Sequence, residues 1–483
     1  MDALERELKE HSRWRLKPEF ANFRAYDELL KNEFLAPAEH QIRMARAVQG
    51  IVAFATAGTP YYASLFKRLG LTCRHIETPE DLAKLPTLTK HDLLEYSSQM
   101  AAPRLPPGEQ LYGGTKSSGT TGRPVSVLHT FKSSAMFGLL RQRTARWHGL
   151  HPMEARIDVR PRLDLQATRE GLQIGDGGYS VASQWNHLGL HFHTGPEYGI
   201  AVSTPMERQV ELLQQLRPAY ATTFPGVFEE WLLANSGQKP VDSLKAIVGI
   251  GSQLTPSLRA RLEQYYGCPV HMSYGLNEIG KVATRCAAGR YHVNSELCLV
   301  QITRGDGSAC APGEVGHILV TGLNNVAQPL IRYDTGDLAE AMDGPCPCGR
   351  TLPVFGDIAG RYRSYADLPS GSRERVRAIR NAIERQAPED LRFLRRYQLH
   401  QDLQNRFTLR LRIVSPIPGA FRQEMLRAWE PVMGSPPSPL AITEVDEIAA
   451  APSGKLIDFL SDFHTDWSLA LRPGAPAPAP SDA

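Results

Sequence analysis

The ten residues Thr115-Lys-Ser-Ser-Gly-Thr-Thr-Gly-Arg-Pro124 carry dense anion-binding chemistry. Ser117, Ser118, Thr120 and Thr121 offer four hydroxyl donors in five positions. Gly119 and Gly122 let the backbone turn and bring its N–H groups close to an anion. Lys116 and Arg123 add positive charge at either end, and Pro124 keeps the segment from continuing as a helix. Val125-Ser-Val-Leu128 follows as an apolar strand, so the loop is expected between two strands and is suited to a polyphosphate. It is not a Walker loop, because no Lys-Ser/Thr pair follows the glycines at the required spacing. A polar surface turn has the same composition; what lies downstream argues against it.

Five further elements follow in order. Gly249-Ile-Gly-Ser-Gln253 ends a strand-like run, and its glycines would let a flat ligand such as a purine approach the backbone. Ser273-Tyr-Gly-Leu-Asn-Glu278 puts an aromatic ring and a carboxylate just after another strand. Arg332-Tyr-Asp-Thr-Gly-Asp337 presents a carboxylate after a tight turn, where it could accept from a ribose diol. Gly360-Arg361 falls at a composition shift, and Pro452-Ser-Gly-Lys455 presents one lysine on a short turn. Each is weak alone; their joint order is specific.

The elements that must position these residues point to an α/β class. Residues 1–100 read as helical, with amphipathic spacing over 26–50 and 61–69. Thr78-Pro-Glu-Asp81 has the residue types of a helix start. Helical stretches at 131–148, 207–216 and 226–236 alternate with the strand-like runs 246–250, 270–273 and 316–321, as in a layered α/β sheet. Arg361 to Arg396 reads as a helical, arginine-rich segment; interspersed acids favour a solvated face over a nucleic-acid helix. A strand at 407–414 and a helix at 421–429 complete a small α+β unit. The division expected is a body over 1–360, a mobile unit over 361–470 and a disordered Pro/Ala tail over 471–483.

Composition excludes several classes. Lys and Arg number 54 against 51 Asp and Glu, so no global charge calls for nucleic acid or an anionic membrane. The charged N-terminus has no signal-peptide core, no apolar run reaches membrane length, and seven cysteines are few and odd in number. A cytoplasmic protein with free or metal-bound thiols is expected.

The chain resembles the adenylate-forming enzymes, and among them the phenylacetate–coenzyme A ligase family, over about residues 55 to 460. The loop at 117–124, Tyr-Gly-Leu-x-Glu278, Arg-Tyr-x-Thr-Gly-Asp337 and the terminal Gly-Lys455 carry the resemblance. So do Thr59-Pro-Tyr-Tyr62, Ile76-Glu-Thr-Pro-Glu-Asp-Leu82 and Leu85-Pro-Thr-Leu-Thr-Lys90. The resemblance implies that a carboxylate attacks the α-phosphate of ATP, pyrophosphate leaves, the small domain rotates, and a thiol takes the acyl group. It places Ser117, Ser118, Gly119, Thr120, Thr121, Gly122 and Arg123 on the β- and γ-phosphates and Glu278 on Mg²⁺. Gly251 and Tyr274 would flank adenine, Asp337 and Arg361 would bind ribose, and Lys455 would touch the carboxylate and α-phosphate oxygens. The acid pocket is expected among residues 188–226, with His191–Tyr198, Phe224 and Gly226 as lining together with Gly275, and the acid as aromatic. The resemblance leaves room for a homodimer.

Cys286, His292, Cys346 and Cys348 form a four-ligand set on residue type, but the pairs are far apart and C-x-C is tight, so spacing alone leaves metal and plain buried thiols equally open. The resembled branch carries a similar Cys…His…Cys-x-Cys-Gly-Arg arrangement, which implies a structural zinc.

Departures bear on the second step. Asn277 stands where the family has Ser or Thr, and its amide can still donate to the α-phosphate. The family's hinge carboxylates are replaced by Arg363 and Ser364, and Asp367-Leu-Pro-Ser-Gly371 replaces the stretch lining the pantetheine tunnel. Adenylation is therefore the firmer expectation; coenzyme A, a carrier-protein thiol or an amine are the candidate acceptors. A nucleotide-binding protein without turnover is the reading from another class, and retention of Glu278 and Lys455 argues against it.

Overall fold

Proline and capping residues set the helix starts of the first hundred residues. The computed structural model describes residues 3–20, 24–116, 125–161, 178–186, 188–234, 241–252, 254–361, 368–434, 437–448 and 457–463. Helices α1 (Ala3–Ser12), α2 (Arg24–Asn32), α3 (Pro37–Gly58), α4 (Pro60–Leu69) and α5 (Lys90–Met100) lead the chain. Thr59 caps α4 by accepting from Tyr62 N, and Gly70 ends it in the left-handed region at φ 66°. Thr89 and Asp92 cap α5 reciprocally. Val48, Val52, Tyr62 and Phe66 bury a small core with Leu82, Leu85 and Ile331, which docks these helices onto the segment before Asp337.

One expected helix start differs. Thr78-Pro-Glu-Asp81 leads into a short 3₁₀ turn, Glu80–Lys84. The Asp81 carboxylate accepts from Glu77 N and Thr78 N, closing the segment on itself just before Leu85-Pro86.

Strands β1 (Leu111–Lys116) and β2 (Ser126–Thr130) pair antiparallel with Lys116 opposite Ser126, so the phosphate-loop candidate has a strand on each side. Helix α6 (Phe131–Trp147) follows directly. The main sheet contains β3 (Arg156–Arg160), β4 (Ser180–Ala182), β5 (Glu197–Ala201), β6 (Tyr220–Thr223), β7 (Ala246–Gly249) and β8 (Val270–Leu276). It continues through β9 (Gly280–Arg285), β10 (Tyr291–Val293), β11 (Cys298–Thr303), β12 (Val315–Gly322), β13 (Tyr333–Ala341) and β14 (Val354–Arg361). The order among the described residues is β11-β12-β13-β14-β10-β9-β8-β7-β6-β3-β5-β4. Strands β3, β5, β6, β7 and β8 run parallel, whereas everything from β8 to β11 on the other side is antiparallel. β8 is thus the seam between two sheet types, and ligands in α/β sheets gather at carboxyl ends of parallel strands.

Helices α7 (Met206–Leu216), α8 (Pro225–Ala234) and α9 (Pro256–Tyr266) cover one face of the parallel half. Ile157, Val159, Ala221, Ile247 and Val270 point into that core, as near-continuous apolar parallel strands require.

The C-terminal sheet has the order β17-β16-β15-β18, from β15 (Leu394–Gln401), β16 (Phe407–Ile413), β17 (Leu440–Glu444) and β18 (Phe459–Ser461). Helices α10 (Ser372–Glu384) and α11 (Gly419–Trp429) pack on it. The arginine-rich stretch 361–396 is therefore not one helix. Its start ends β14, its middle forms α10, and Leu394 already begins β15, because Leu394, Tyr397 and Leu399 enter the core and the intervening arginines stay at its margin. Among the described residues no helix is long and apolar enough to cross a membrane.

Candidate active site

The strand entering the phosphate-loop candidate is tied to the seam of the sheet. Thr115 Oγ1 donates to the Asn277 carbonyl at 2.6 Å and lies 2.9 Å from His129 Nε2, so the imidazole must donate from Nε2. Burial pushes the His129 pKa down, which keeps that ring neutral. Asn277 is exposed and Glu278, beside it, is buried. Tyr333 O–H donates to Glu278 Oε1 at 3.1 Å. A buried carboxylate next to Asn277, to which the strand Leu111–Lys116 is tied, suits a hard divalent cation.

The nucleotide elements also converge. Tyr274 O–H donates to Asp337 Oδ2 at 2.8 Å, so the ring expected at adenine and the carboxylate expected at ribose touch. Asp337 stands opposite Arg361 in the β13–β14 register. The turn before Asp337 is closed by Gly336 N donating to Asp334 Oδ1 and Asp337 N to Thr335 Oγ1. Gly251 has φ 68°, which explains glycine there. Gly249 is closely packed: a β-carbon would lie 2.3 Å from Met272 Sδ and 3.2 Å from Pro225 Cγ, so the methionine would have to move.

The acid-pocket candidates are spread more widely. Gly275 is exposed at a bulge in β8, facing Lys281 across the ladder. Phe224 is buried in the core under α8, and Gly226 lies in the first turn of that helix. Gly226 lines a cavity of about 120 Å³ shared with the C-terminal unit, where Arg396 pairs with Glu230 at 3.2 Å. Residues 191–193 are engaged elsewhere: Lys17 N donates to His191 O, His193 N to Arg15 O, and Leu16 bridges Phe192. Residues 117–124, Arg363, Ser364 and Lys455 lie outside the described residues, as does the Arg361 side chain.

Cys286, His292, Cys346 and Cys348 do come together: one ligand atom from each lies within 4.8 Å of the others. Cys286 follows β9, His292 is in β10, and the C-x-C pair sits between β13 and β14, so the sheet closes the long sequence gap. Cys286 Sγ is 3.7 Å from Cys346 Sγ, and Cys348 Sγ is 3.3 Å from His292 Nε2. His292 Nδ1 lies 3.3 Å from the Leu352 carbonyl, which fixes the tautomer that leaves Nε2 for a ligand. Hydrogen bonds from Cys286 and then His292 hold the Cys348 thiol well below its usual range. Three sulfurs and one imidazole filling all four positions fit a closed structural metal site.

With this geometry set, comparison with known proteins gives a family. The AMP-binding enzyme model matches residues 74–328, more than half of the chain. The chain belongs to the AMP-binding enzyme family. It is 28% identical over 323 residues to a phenylacetate–coenzyme A ligase of Thermus thermophilus, covering 64% of this chain and 68% of that one. A phenylacetate–coenzyme A ligase of Escherichia coli is 28% identical over 321 residues, covering 62% of this chain and 66% of the relative. Among solved structures, 2-hydroxyisobutyryl-CoA ligase in its postadenylation state superposes with TM-score 0.68 at 16% identity over 89% of this chain and 91% of that one. The same ligase with its adenylate and CoA in the thioesterification state gives 0.56 at 17% identity, over 90% and 92%. The fold is that of an adenylate-forming enzyme with a C-terminal sheet domain, and the chain is phenylacetate–CoA ligase-like.

Thr115 and Tyr333 were inside quoted motifs, but only the fold shows that one anchors Asn277 and the other orients Glu278.

Proposed function

We propose that this AMP-binding enzyme is an AMP-forming acid–thiol ligase that adenylates an aromatic carboxylic acid and passes the acyl group to coenzyme A. The Thr115–Asn277 hydrogen bond carries the reading, because it ties the end of β1, the strand that leads into residues 117–123, to Asn277 beside Glu278. In this reading the loop takes the β- and γ-phosphates, Asn277 donates to the α-phosphate, and Glu278 holds Mg²⁺. Mg²⁺ bound there would neutralise phosphate charge. Gly251 and Tyr274 flank the base, and Asp337 with Arg361 receives the ribose hydroxyls. Phe224, Gly226 and Gly275 border the acid. Residues 361–470 form the mobile unit, which brings Lys455 to the reacting oxygens.

Phosphate displacement of this kind asks the protein for positioning and charge, not covalent chemistry. Carboxylate-dependent pyrophosphate release from ATP and Mg²⁺, without acceptor, tests the reading. Release with a defined acid class is expected, and Lys455→Ala should lower its rate by about 10²–10³-fold, the usual cost of one aligned charge. No release with any acid would sink it. The altered residues 363–371 favour a carrier-protein thiol as second reading; acyl transfer to coenzyme A at a rate below that to carrier proteins would select it.

We further propose that Cys286, His292, Cys346 and Cys348 bind one structural zinc. Elemental analysis of purified protein should find one zinc per chain; none would remove the metal from the account.

A further inference from the structure

Helix α6 and strands β3 and β9 enclose a group of cations that the nucleotide chemistry does not use. Arg141, Arg156, Arg160 and Lys281 act on one another electrostatically, and the carboxylates acting with them are Asp158 and Glu197. Among the described residues, these four cations face two carboxylates, an excess of two positive charges. The carboxylates are already engaged: Glu197 receives Arg156 at 2.5 Å, and Asp158 receives Arg160 at 2.9 Å with Arg156 at 3.8 Å. Arg141 pairs with neither. Its Nε is buried without a hydrogen-bond partner, and its guanidinium lies 4.5 Å over the Phe137 ring. Lys281 Nζ donates to Ser273 Oγ at 2.6 Å, a neutral partner.

The position of this group matters. Arg156, Asp158 and Arg160 alternate with Ile157 and Val159, which face the α7–α8 core, so the charged set faces the other side of the sheet. Lys281 stands across the ladder from Gly275 and three residues after Glu278. Phe137, under Arg141, comes within 3.1 Å of where a Gly280 β-carbon would be. The patch therefore abuts the segment Gly275–Glu278. Arg141 is half-buried, with its Nε out of reach of water; charge drawn out of water is normally paired, and a forked guanidinium is built to take two oxygens of one anion.

We infer that the acid activated by this enzyme carries a second anionic group, a carboxylate or phosphate, which Arg141 and Lys281 receive while the reacting carboxylate lies at Asn277. This rests on the ligase reading and narrows its substrate class.

The test uses the full-length protein and matched acids: phenylacetic against 4-carboxyphenylacetic and 4-phosphonophenylacetic acid, and hexanoic against adipic acid. Pyrophosphate release is measured for each. The second anion should raise kcat/KM by about thirtyfold, the worth of one or two charge-assisted hydrogen bonds. The better of carboxylate and phosphonate identifies the group. Arg141→Met should cut the preference ratio at least tenfold, and Arg141→Gln provides the same readout if the first variant does not fold. Release with monoacids and no gain from a second anion overturns the inference while the ligase reading stands. No release from any acid sinks both. Arg141-dependent thermal stabilisation by inorganic phosphate, with no gain from a second anion on the acid, would assign the patch to a free ion and also overturn it.

Discussion

Helix α6 carries arginines into two environments, one closed and one half-open. Toward the N-terminal helices, every donor of Arg143 is used: Nε on Glu33, Nη1 on Asn294 and Glu296, Nη2 on Leu29 O and Glu296. Glu33 in turn receives Arg146, Trp147 at 2.9 Å and Arg350 at 3.4 Å. Arg350 stacks 4.0 Å over Trp147, whose ring meets the edge of His292, so the network reaches the cysteine–histidine set. Arg141, two residues before Arg143, pairs with no carboxylate among the described residues and has no hydrogen bond at Nε there. Satisfied charge on one face is architecture that ties α2, α6 and β11's approach together. Unsatisfied charge on the other face is stability withheld until a ligand supplies the missing anion.

Removing one carboxylate should separate the two faces most strongly. Glu33→Gln leaves Arg143 and Arg146 without their shared counter-charge, and the expected loss is about 3–5 kcal/mol, the usual cost of breaking a buried pair. Arg141→Met removes a cation that pairs directly with no carboxylate among the described residues, so its stability should stay within about 1 kcal/mol of the parent or rise. Denaturant midpoints of the two variants give the comparison. Equal losses would mean that Arg141 is as structural as Arg143.

Asp337 lies between these cases, since it holds Tyr274 in the fold and is also proposed to hold ribose. An amide oxygen can still accept from Tyr274, so Asp337→Asn should leave the melting temperature nearly unchanged. Loss of charge-assisted bonds to the ribose should raise the KM for ATP by about tenfold to a hundredfold. A change below threefold would place the ribose elsewhere.

How far the sequence foretold this depends on the range of the interaction. The flanking strands of the 115–124 loop, helix α4 from Pro60, and the β7 and β12 runs followed from local pattern, because proline, caps and apolar periodicity act within a few residues. Asp81 defeated the expected helix at 78–81 because Asp in a first turn can as well close the turn before it. The arginines of 392–396 read as helical because β15 opens irregularly: its register shifts between Leu394 and Arg396, so the buried Leu394, Tyr397 and Leu399 give no clean two-residue alternation to read. At the candidate site, the expected grouping of Cys286, His292, Cys346 and Cys348 is met in space although 60 residues separate Cys286 from Cys346, whereas the Tyr274–Asp337 hydrogen bond is not written in either motif. The state of Arg141 was not legible. Nothing local distinguishes it from Arg143; the difference lies in Glu33 and Glu296, more than a hundred residues away on either side.

The smallest effect expected is one of pH, and it bears on the same contrast. Burial, with Arg141, Arg160 and Arg156 against the opposing Asp158, pulls Lys281 down to about 7. Ser273 accepts from its ammonium, and the buried His148 nearby is itself kept neutral by burial and by the neighbouring His271 and Lys281. Without ligand, the folded chain binds fewer protons than the unfolded chain between pH 7 and about 10.4, so this group makes stability rise with pH across that interval. Anion binding has the opposite sign, because the second anionic group needs Lys281 protonated. Apparent affinity for the dianionic acid should therefore fall by about tenfold from pH 6 to 8.5, the loss of one charge-assisted bond. Lys281→Met should flatten that fall. The Glu33 network offers no such handle, so a profile that keeps its slope in Lys281→Met would move the titrating group off the cationic face of α6 and erase the distinction between the two faces.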